Sequence, residues 1–521
     1  MKFGFDKWII IITVISASLL QLIDTSIVNV TLTQMMGNLG ASLGEIGWVV
    51  TGYAASNVIM ITMSGWLSAR LGRKNYFTES IILFTVASIF CGTSTTISQL
   101  ITFRIIQGIG GGGLLSTAQA ILIDTFPKEE LGLANAIFGM GVIIGPSIGP
   151  TLGGYITDHL SWQWVFFINI PIGIAAAILS AVYIKESKHV IKTGRMDWFA
   201  LALLVITIGA LQVILEKGES EDWFETPYIT LLTISSIVAG ILFVWRQLTV
   251  EHPILNLRLL KNNQFAIGTF FSFIQGIGLY ASVFIIPIFC QQMLGYTSQQ
   301  TGWLLLPGSL AAGLMMPIVA TIMKKSRIPA AWLAGLGFSL FIVFVWDLSG
   351  MSLDTNANSF FWPLILRGVG LGFIFIPLLT ITIYPLQQKD IPQGTALSSM
   401  VRQLGGSFGI ALATTFISVR SVFHYSRLSD HVSMYDQTTY DRVNSFTGFF
   451  MSKGSDPAGA QSKAIAVLQG QVYKQAMVLT FNDVFLIVGV FFAICIPLLF
   501  LFRSKTGVSK KEKDMEMHVA E

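Results

Sequence analysis

Apolar residues in this chain run in blocks and do not alternate. Stretches of about 20 or more mostly apolar residues lie near 8–32, 44–69, 76–97, 99–123, 131–157, 163–184, 196–215, 227–246, 265–290, 300–323, 330–348, 359–385, 393–420 and 479–502. Blocks of that length without period-two alternation predict bilayer-spanning helices, because backbone groups in hydrocarbon must be satisfied within the segment. Fourteen spans place both termini on one side. With the N-terminus inside, the inner segments hold 22 Lys and Arg, and the six short outer loops hold one, Lys217. That bias predicts cytoplasmic termini. The first run, from Trp8, is too long for a signal-peptide core and reads as a span.

Composition narrows the class. The 521 residues are 53% hydrophobic and 12% charged, against about 25% charged in soluble domains. A soluble enzyme, a nucleic-acid-binding domain and a secreted disulfide scaffold are excluded. The net charge of +4 reads as topology and not as an acidic partner. Cys91, Cys290 and Cys495 each fall inside a span, so they form no disulfide framework or metal spacing. Residues 159, 189, 252, 424, 431 and 518, the histidines, fall in loops or tails, which argues against a buried His switch. No GxxxxGK[ST] nucleotide motif is present.

The chain repeats itself at an offset of 260: QGIG at 107–110 matches RGVG at 367–370, and GPSIG at 145–149 matches GGSFG at 405–409. The fold class expected is therefore an all-α polytopic membrane protein of two pseudo-symmetric six-helix bundles with two inserted helices. The boundaries expected are 1–184, 185–262 and 263–521, the last including an outer loop at 421–478 and a tail at 503–521. Internal repeats of this kind put a transport site at their interface.

Asp24 is the sharpest chemical feature. It lies 16 residues after Trp8, about 24 Å into a layer about 30 Å thick. A charged aspartate inside a span costs at least about 2.5–3.5 kcal/mol. A desolvated carboxylate can carry a proton near neutral pH; the plainer reading is an interhelical hydrogen bond. Arg104, in the fourth span, comes to similar depth and is its natural partner, or else a bundle-tying cation. Gln21, Asn29, Gln107, Arg367 and Arg402 are candidates for a substrate pathway, with helix bridging open for both arginines. Gly108 lies in a glycine cluster at 104–113. Gly145, Gly149 and Gly153, beside Gly154, are spaced for close helix contact, with Pro146 and Pro150 as bends. The loop GWLSARLGRK joins Gly65, Gly72 and Arg73 as a gate or as an inner-side anchor.

Together these strings resemble the major facilitator superfamily, in its fourteen-helix drug:proton antiporter branch of EmrB/QacA type. LLQLIDTSIVNVTL (19–32) is similar to that branch's helix-1 motif, with Asp24 the matching acid. GWLSARLGRK resembles its loop 2–3 motif, RIIQGIGGGG its helix-4 motif with Arg104, and GPSIGPTLGG its antiporter motif. WQWVFFINIPIG (162–173) and RQLGGSFG (402–409) also match, and 210–224 and 472–485 look more like the EmrB side. One departure is Ala69, where the loop motif commonly carries an acid that latches the inner gate.

The resemblance implies a transporter of the bacterial inner membrane, not an enzyme, that needs no cofactor beyond the proton gradient. It implies export of hydrophobic or cationic toxic compounds by alternating access. Residues 462–503 read as one long helix and 421–450 as an opposing arm, which the resemblance links to a periplasmic adaptor and an outer-membrane channel. Nucleic acid is not an expected partner. Two other functions fit the same strings: a dedicated exporter of one metabolite, lipid or siderophore, and a non-transporting scaffold or sensor.

Overall fold

The computed structural model describes residues 4–186, 196–325, 328–383 and 385–499; the predicted tail at 503–521 and most of the 185–195 linker lie outside them. The helices are α1 (Phe5–Leu39), α2 (Leu43–Leu71), α3 (Arg73–Gly92), α4 (Ile97–Gly111), α5 (Leu114–Thr125) and α6 (Lys128–His159). They continue with α7 (Trp164–Phe167), α8 (Asn169–Tyr183), α9 (Trp198–Lys217), α10 (Pro227–Thr249), α11 (Asn263–Ile288) and α12 (Ser298–Lys325). The rest are α13 (Ala330–Leu348), α14 (Phe361–Ile383), α15 (Ile391–Ser429), α16 (Gln437–Ser452) and α17 (Pro457–Leu499). Fourteen helical stretches are long and apolar enough to cross a membrane.

Local chemistry sets the boundaries. Ser42 and Glu45 cap α2 reciprocally, the Glu45 N–H reaching Ser42 Oγ at 3.3 Å and the Ser42 N–H reaching Glu45 Oε2 at 2.9 Å. Thr96, Asp197 and Asn262 accept backbone N–H groups at the starts of α4, α9 and α11. The fourth span is two helices, α4 and α5, parted at Gly112 and Gly113, where α2 and α3 come close enough to leave no room for a side chain.

The halves repeat in packing. First and fifth spans pair in each (α1 with α6, α11 with α15), as do second and fourth (α2 with α4, α12 with α14). Third and fourth spans pair as α3 with α4 and α13 with α14, and third and sixth as α3 with α8 and α13 with α17. The halves meet where α6 lies along α12 and where α2 and α5 meet α15. The inserted pair sits on this seam: α9 touches both α2 and α15, and Gln212 Nε2 donates to Ser407 Oγ at 3.0 Å. α10 lies outside it with Leu231, Ile241 and Trp245 exposed, a surface suited to lipid.

The C-terminal region differs from the sequence reading. α15 runs to Ser429, α16 packs along α17, and α17 starts at Pro457. At 43 residues α17 is about 64 Å long, well beyond a bilayer core. His424, expected in a loop, lies on α15, where its Nε2 meets Asp483 Oδ2 at 2.7 Å and Arg420 Nε donates to the same oxygen at 2.7 Å. That cluster ties α15 to α17 and lets the helix continue past the apolar run. All three cysteines are buried and unpaired.

Candidate functional site

On α1, Gln21 and Asp24 are three apart and share a face; on α4, Arg104, Gln107, Gly108 and Gly111 do the same. Gly108 brings α4 against α2, since a Cβ there would stand 2.6 Å from the Tyr53 carbonyl oxygen. The two polar faces therefore meet inside the first bundle. Arg104 Nη1 lies 2.5 Å from Asp24 Oδ2, with Asp24 0% and Arg104 1% exposed. Gln107 Nε2 donates to Asp24 Oδ1 at 2.9 Å, and Asn169 Nδ2, at the start of α8, donates to the same oxygen at 3.0 Å. Gln107 Oε1 accepts from Arg104 Nη1 at 2.7 Å, and Ser88 Oγ accepts from both Gln107 (2.6 Å) and Asn169 (3.1 Å).

In this network Asp24 accepts from three side-chain donors. Arg104 has a second seat: its Nε donates to the Val49 carbonyl at 3.3 Å and its Cζ stands 4.0 Å over the Tyr53 ring. The guanidinium is thus held by groups besides the carboxylate. Beside it, Gln21 Nε2 donates to Asn57 Oδ1 at 3.2 Å, while Gln21 Oε1 and Asn57 Nδ2 are buried without a partner among the described residues. Two unanswered polar atoms next to an ion pair make a place for water.

The expected gate residues also find places. Arg73 forms an ion pair with Asp124 at the end of α5, and its backbone N–H donates to Glu186 Oε1 at 2.8 Å. Gly72 has φ +89°, and the Glu186 carboxylate fills the space where a side chain would go. The carboxylates that meet this loop thus come from Asp124 and Glu186, in two other segments. Gly65 packs on the Pro392 carbonyl and Ala396 of α15, across the seam. Gly145, Gly149 and Gly153 press on Leu22, Ser26 and Ile27 of α1, while Gly154 meets Ser298 and Gln299 of α12. α6 continues as helix through Pro146 and Pro150.

Comparison with known proteins places this geometry. A family model described as Major Facilitator Superfamily matches residues 14–410. The chain belongs to the Major Facilitator Superfamily. It is 31% identical over 506 residues to the multidrug export protein EmrB of Escherichia coli (strain K12), covering 97% of each chain. It is 29% identical to the fatty acid resistance protein FarB of Neisseria gonorrhoeae, covering 93% of this chain and 94% of that one. The crystal structure of the human organic anion transporter MFSD10 (TETRAN) aligns with TM-score 0.55 at 12% identity, covering 93% of this chain and 99% of that one, which supports the fold alone.

As a facilitator-superfamily protein with fourteen apolar helices it is a multi-pass inner-membrane transporter. The remaining candidates lie apart from Asp24. Asn29 is exposed, outside the cluster. Arg367 on α14 is buried with Nε donating to Ser282 Oγ of α11 at 2.9 Å. It occupies the repeat position of Gln107, in a half where no acid matches Asp24. Arg402 on α15 is buried near the seam.

Sequence reasoning did not single out Asn169, Ser88 or Tyr53. A lone asparagine inside the apolar run at 163–184 was a usable signal for Asn169; a serine or tyrosine in a span gives none. Asn169→Leu is expected to lower stability by about 1.5–3 kcal/mol, since it removes a hydrogen bond to a buried charge. Thermal unfolding of the detergent-solubilised protein checks this; an unchanged midpoint would place Asn169 outside the network.

Proposed function

We propose that this protein is a proton-coupled exporter of hydrophobic toxic compounds, working by alternating access with Asp24 as the proton carrier. The observation that carries the reading is the buried Asp24–Arg104 pair, shared between α1 and α4 and joined to α8 through Asn169. In the arrangement seen, Asp24 accepts from Arg104, Gln107 and Asn169. A proton arriving on Asp24 removes its hold on Arg104, which stays on Val49 and Tyr53, and frees α1 from α4. Substrate binding between the bundles favours the reverse step, so that proton entry and substrate exit alternate.

The 22-to-1 charge bias supports cytoplasmic termini. The moving units in this reading are 1–184 and 263–521, with 185–262 as a brace across the seam. The names of the relatives, which speak of multidrug export and fatty acid resistance, support a hydrophobic cargo. The α15–α16–α17 projection is the surface for an adaptor reaching an outer-membrane channel. The test uses proteoliposomes with an internal pH dye and an imposed pH gradient. Adding hydrophobic compounds is expected to start a proton flux proportional to transported compound. A folded protein giving no flux with any of them would favour the scaffold or sensor alternative.

A further inference from the structure

Buried charge in this molecule does not balance. Among the described residues the buried charged side chains are Asp24, Arg73, Arg104, Arg367 and Arg402. Arg104 pairs with Asp24 and Arg73 with Asp124, but among the described residues neither Arg367 nor Arg402 has a carboxylate within ion-pair distance. Arg402 is the barer of the two. It is 8% exposed, and its guanidinium makes one hydrogen bond, from Nη2 to Ser399 Oγ at 3.3 Å. A guanidinium carries five N–H donors, so most of these are unanswered. A buried cation without a counter-ion is costly, and such groups inside membranes mark ligand paths.

Its surroundings form a route. Arg402 is the twelfth residue of α15, about 17 Å from the helix start and so near mid-membrane. Tyr280 of α11 lies within electrostatic reach of Arg402 and also of Tyr53, across the seam on α2. The Tyr280 hydroxyl donates to Gln403 Oε1 at 2.8 Å. Arg402 Cζ stands 5.8 Å from the centroid of Phe375, and Phe375 packs against Gly139 of α6 in the opposite half. The next residue, Ile376, lines a cavity of about 1420 Å³ at the end of the bundle where α5 ends and α6 begins. Leu131, Met323, Leu379 and Ile383 make most of its lining apolar, and Asp124, Lys324 and Lys325 are its charged members. Phe375 and Ile376, adjacent on α14, thus stand one beside the Arg402 guanidinium and the other on the lining of the chamber.

We propose that Arg402 is the head-group site for amphipathic organic anions, whose apolar bodies occupy the chamber beyond Phe375. An incoming carboxylate would replace the missing counter-ion in bidentate fashion. A lipophilic cation would meet the Arg402 guanidinium with no carboxylate beside it, while Asp124 on the chamber lining is paired with Arg73 and Asp24 is held by Arg104, Gln107 and Asn169. This inference deepens the export reading and rests on it for the direction of movement, though not for binding.

The test is calorimetric titration of the full-length protein in detergent with one tail and three heads: 5-phenylpentanoate, 5-phenylpentan-1-ol and 5-phenylpentylammonium. The acid is expected to bind at least about tenfold more tightly than the alcohol, and the amine most weakly. Arg402→Gln should bring the acid down to the alcohol's affinity while leaving the alcohol unchanged; Arg402→Lys should keep part of the preference. Arg367→Gln should keep all of it. Should Arg402→Gln not fold, the head-group order on the wild type and on Arg402→Lys decides. An amine bound as tightly as the acid, an Arg402 variant that keeps the full preference, or loss of preference in Arg367→Gln alone would overturn the proposal. Acid preference without proton flux leaves the anion site standing and removes the exporter; proton flux with the amine and no acid preference does the reverse.

Discussion

Asp24→Asn is expected to reduce substrate-driven proton flux in proteoliposomes to the level of empty vesicles, while the protein still reaches the membrane. Asparagine keeps the size of the side chain but cannot release a proton, and it leaves Arg104 as a buried cation without its partner. Breaking a buried pair from one side costs about 3–5 kcal/mol, so a lower unfolding midpoint accompanies the loss of flux. The double variant Asp24→Asn/Arg104→Gln separates the two effects. It removes both charges, and the side-chain amides can still bond Gln107 and Asn169, so stability should recover most of what the single variant loses. Transport should not recover, because no proton carrier is left. A double variant that regained flux would make the pair a structural tie and move the proton elsewhere.

Gly149→Val is expected to have an effect of the same order through packing. A Cβ at Gly149 would stand 3.0 Å from the Ile27 backbone nitrogen and closer still to Ser26 on α1. Ser26 and Ile27 lie within a turn of Asp24, so α1 cannot yield without moving the carboxylate off Arg104. Overpacking a tight site costs about 1–3 kcal/mol, and valine adds two methyls beyond the Cβ. Size-exclusion yield and melting should both fall, and protein that survives should show weakened coupling. Gly209→Ala is the control: nothing lies within 4 Å of a Cβ there, and removing a helical glycine should stabilise by about 0.5–1 kcal/mol. Equal behaviour of the two variants would mean that the α1–α6 contact does not restrain α1.

How much of the site could be read in advance varied with the kind of residue. Asp24 and Arg104 stood out because ionised groups in an apolar block are expensive, and their similar depth suggested contact before any coordinates. Glu186 could not be matched with Gly72 and Arg73, because 113 residues separate it from Arg73 and nothing local marks it. His424 was misplaced for a related reason: past the apolar run, hydropathy stops reporting helix, and only Asp483 on another helix shows why α15 continues. Asn29 looked as polar as Gln21, yet it is exposed while Gln21 is buried. Helical phase decided between them, and the α1 sequence alone does not say which phase faces the bundle.

What the sequence by itself determined was the helical membrane class, the fourteen spans, the repeat at an offset of 260, and the presence of a few ionisable groups that hydrocarbon would not tolerate unpaired. These are one-dimensional consequences of transfer free energy, and each residue's contribution can be read without knowing its neighbours. Which of those groups found partners was decided only in three dimensions. Glycine at 108 and 149 sets how closely helices approach, and that approach determines whether Arg104 reaches Asp24. Arg402, with the same chemistry in the same kind of helix, is brought to the seam between the halves, where the fold offers it no carboxylate.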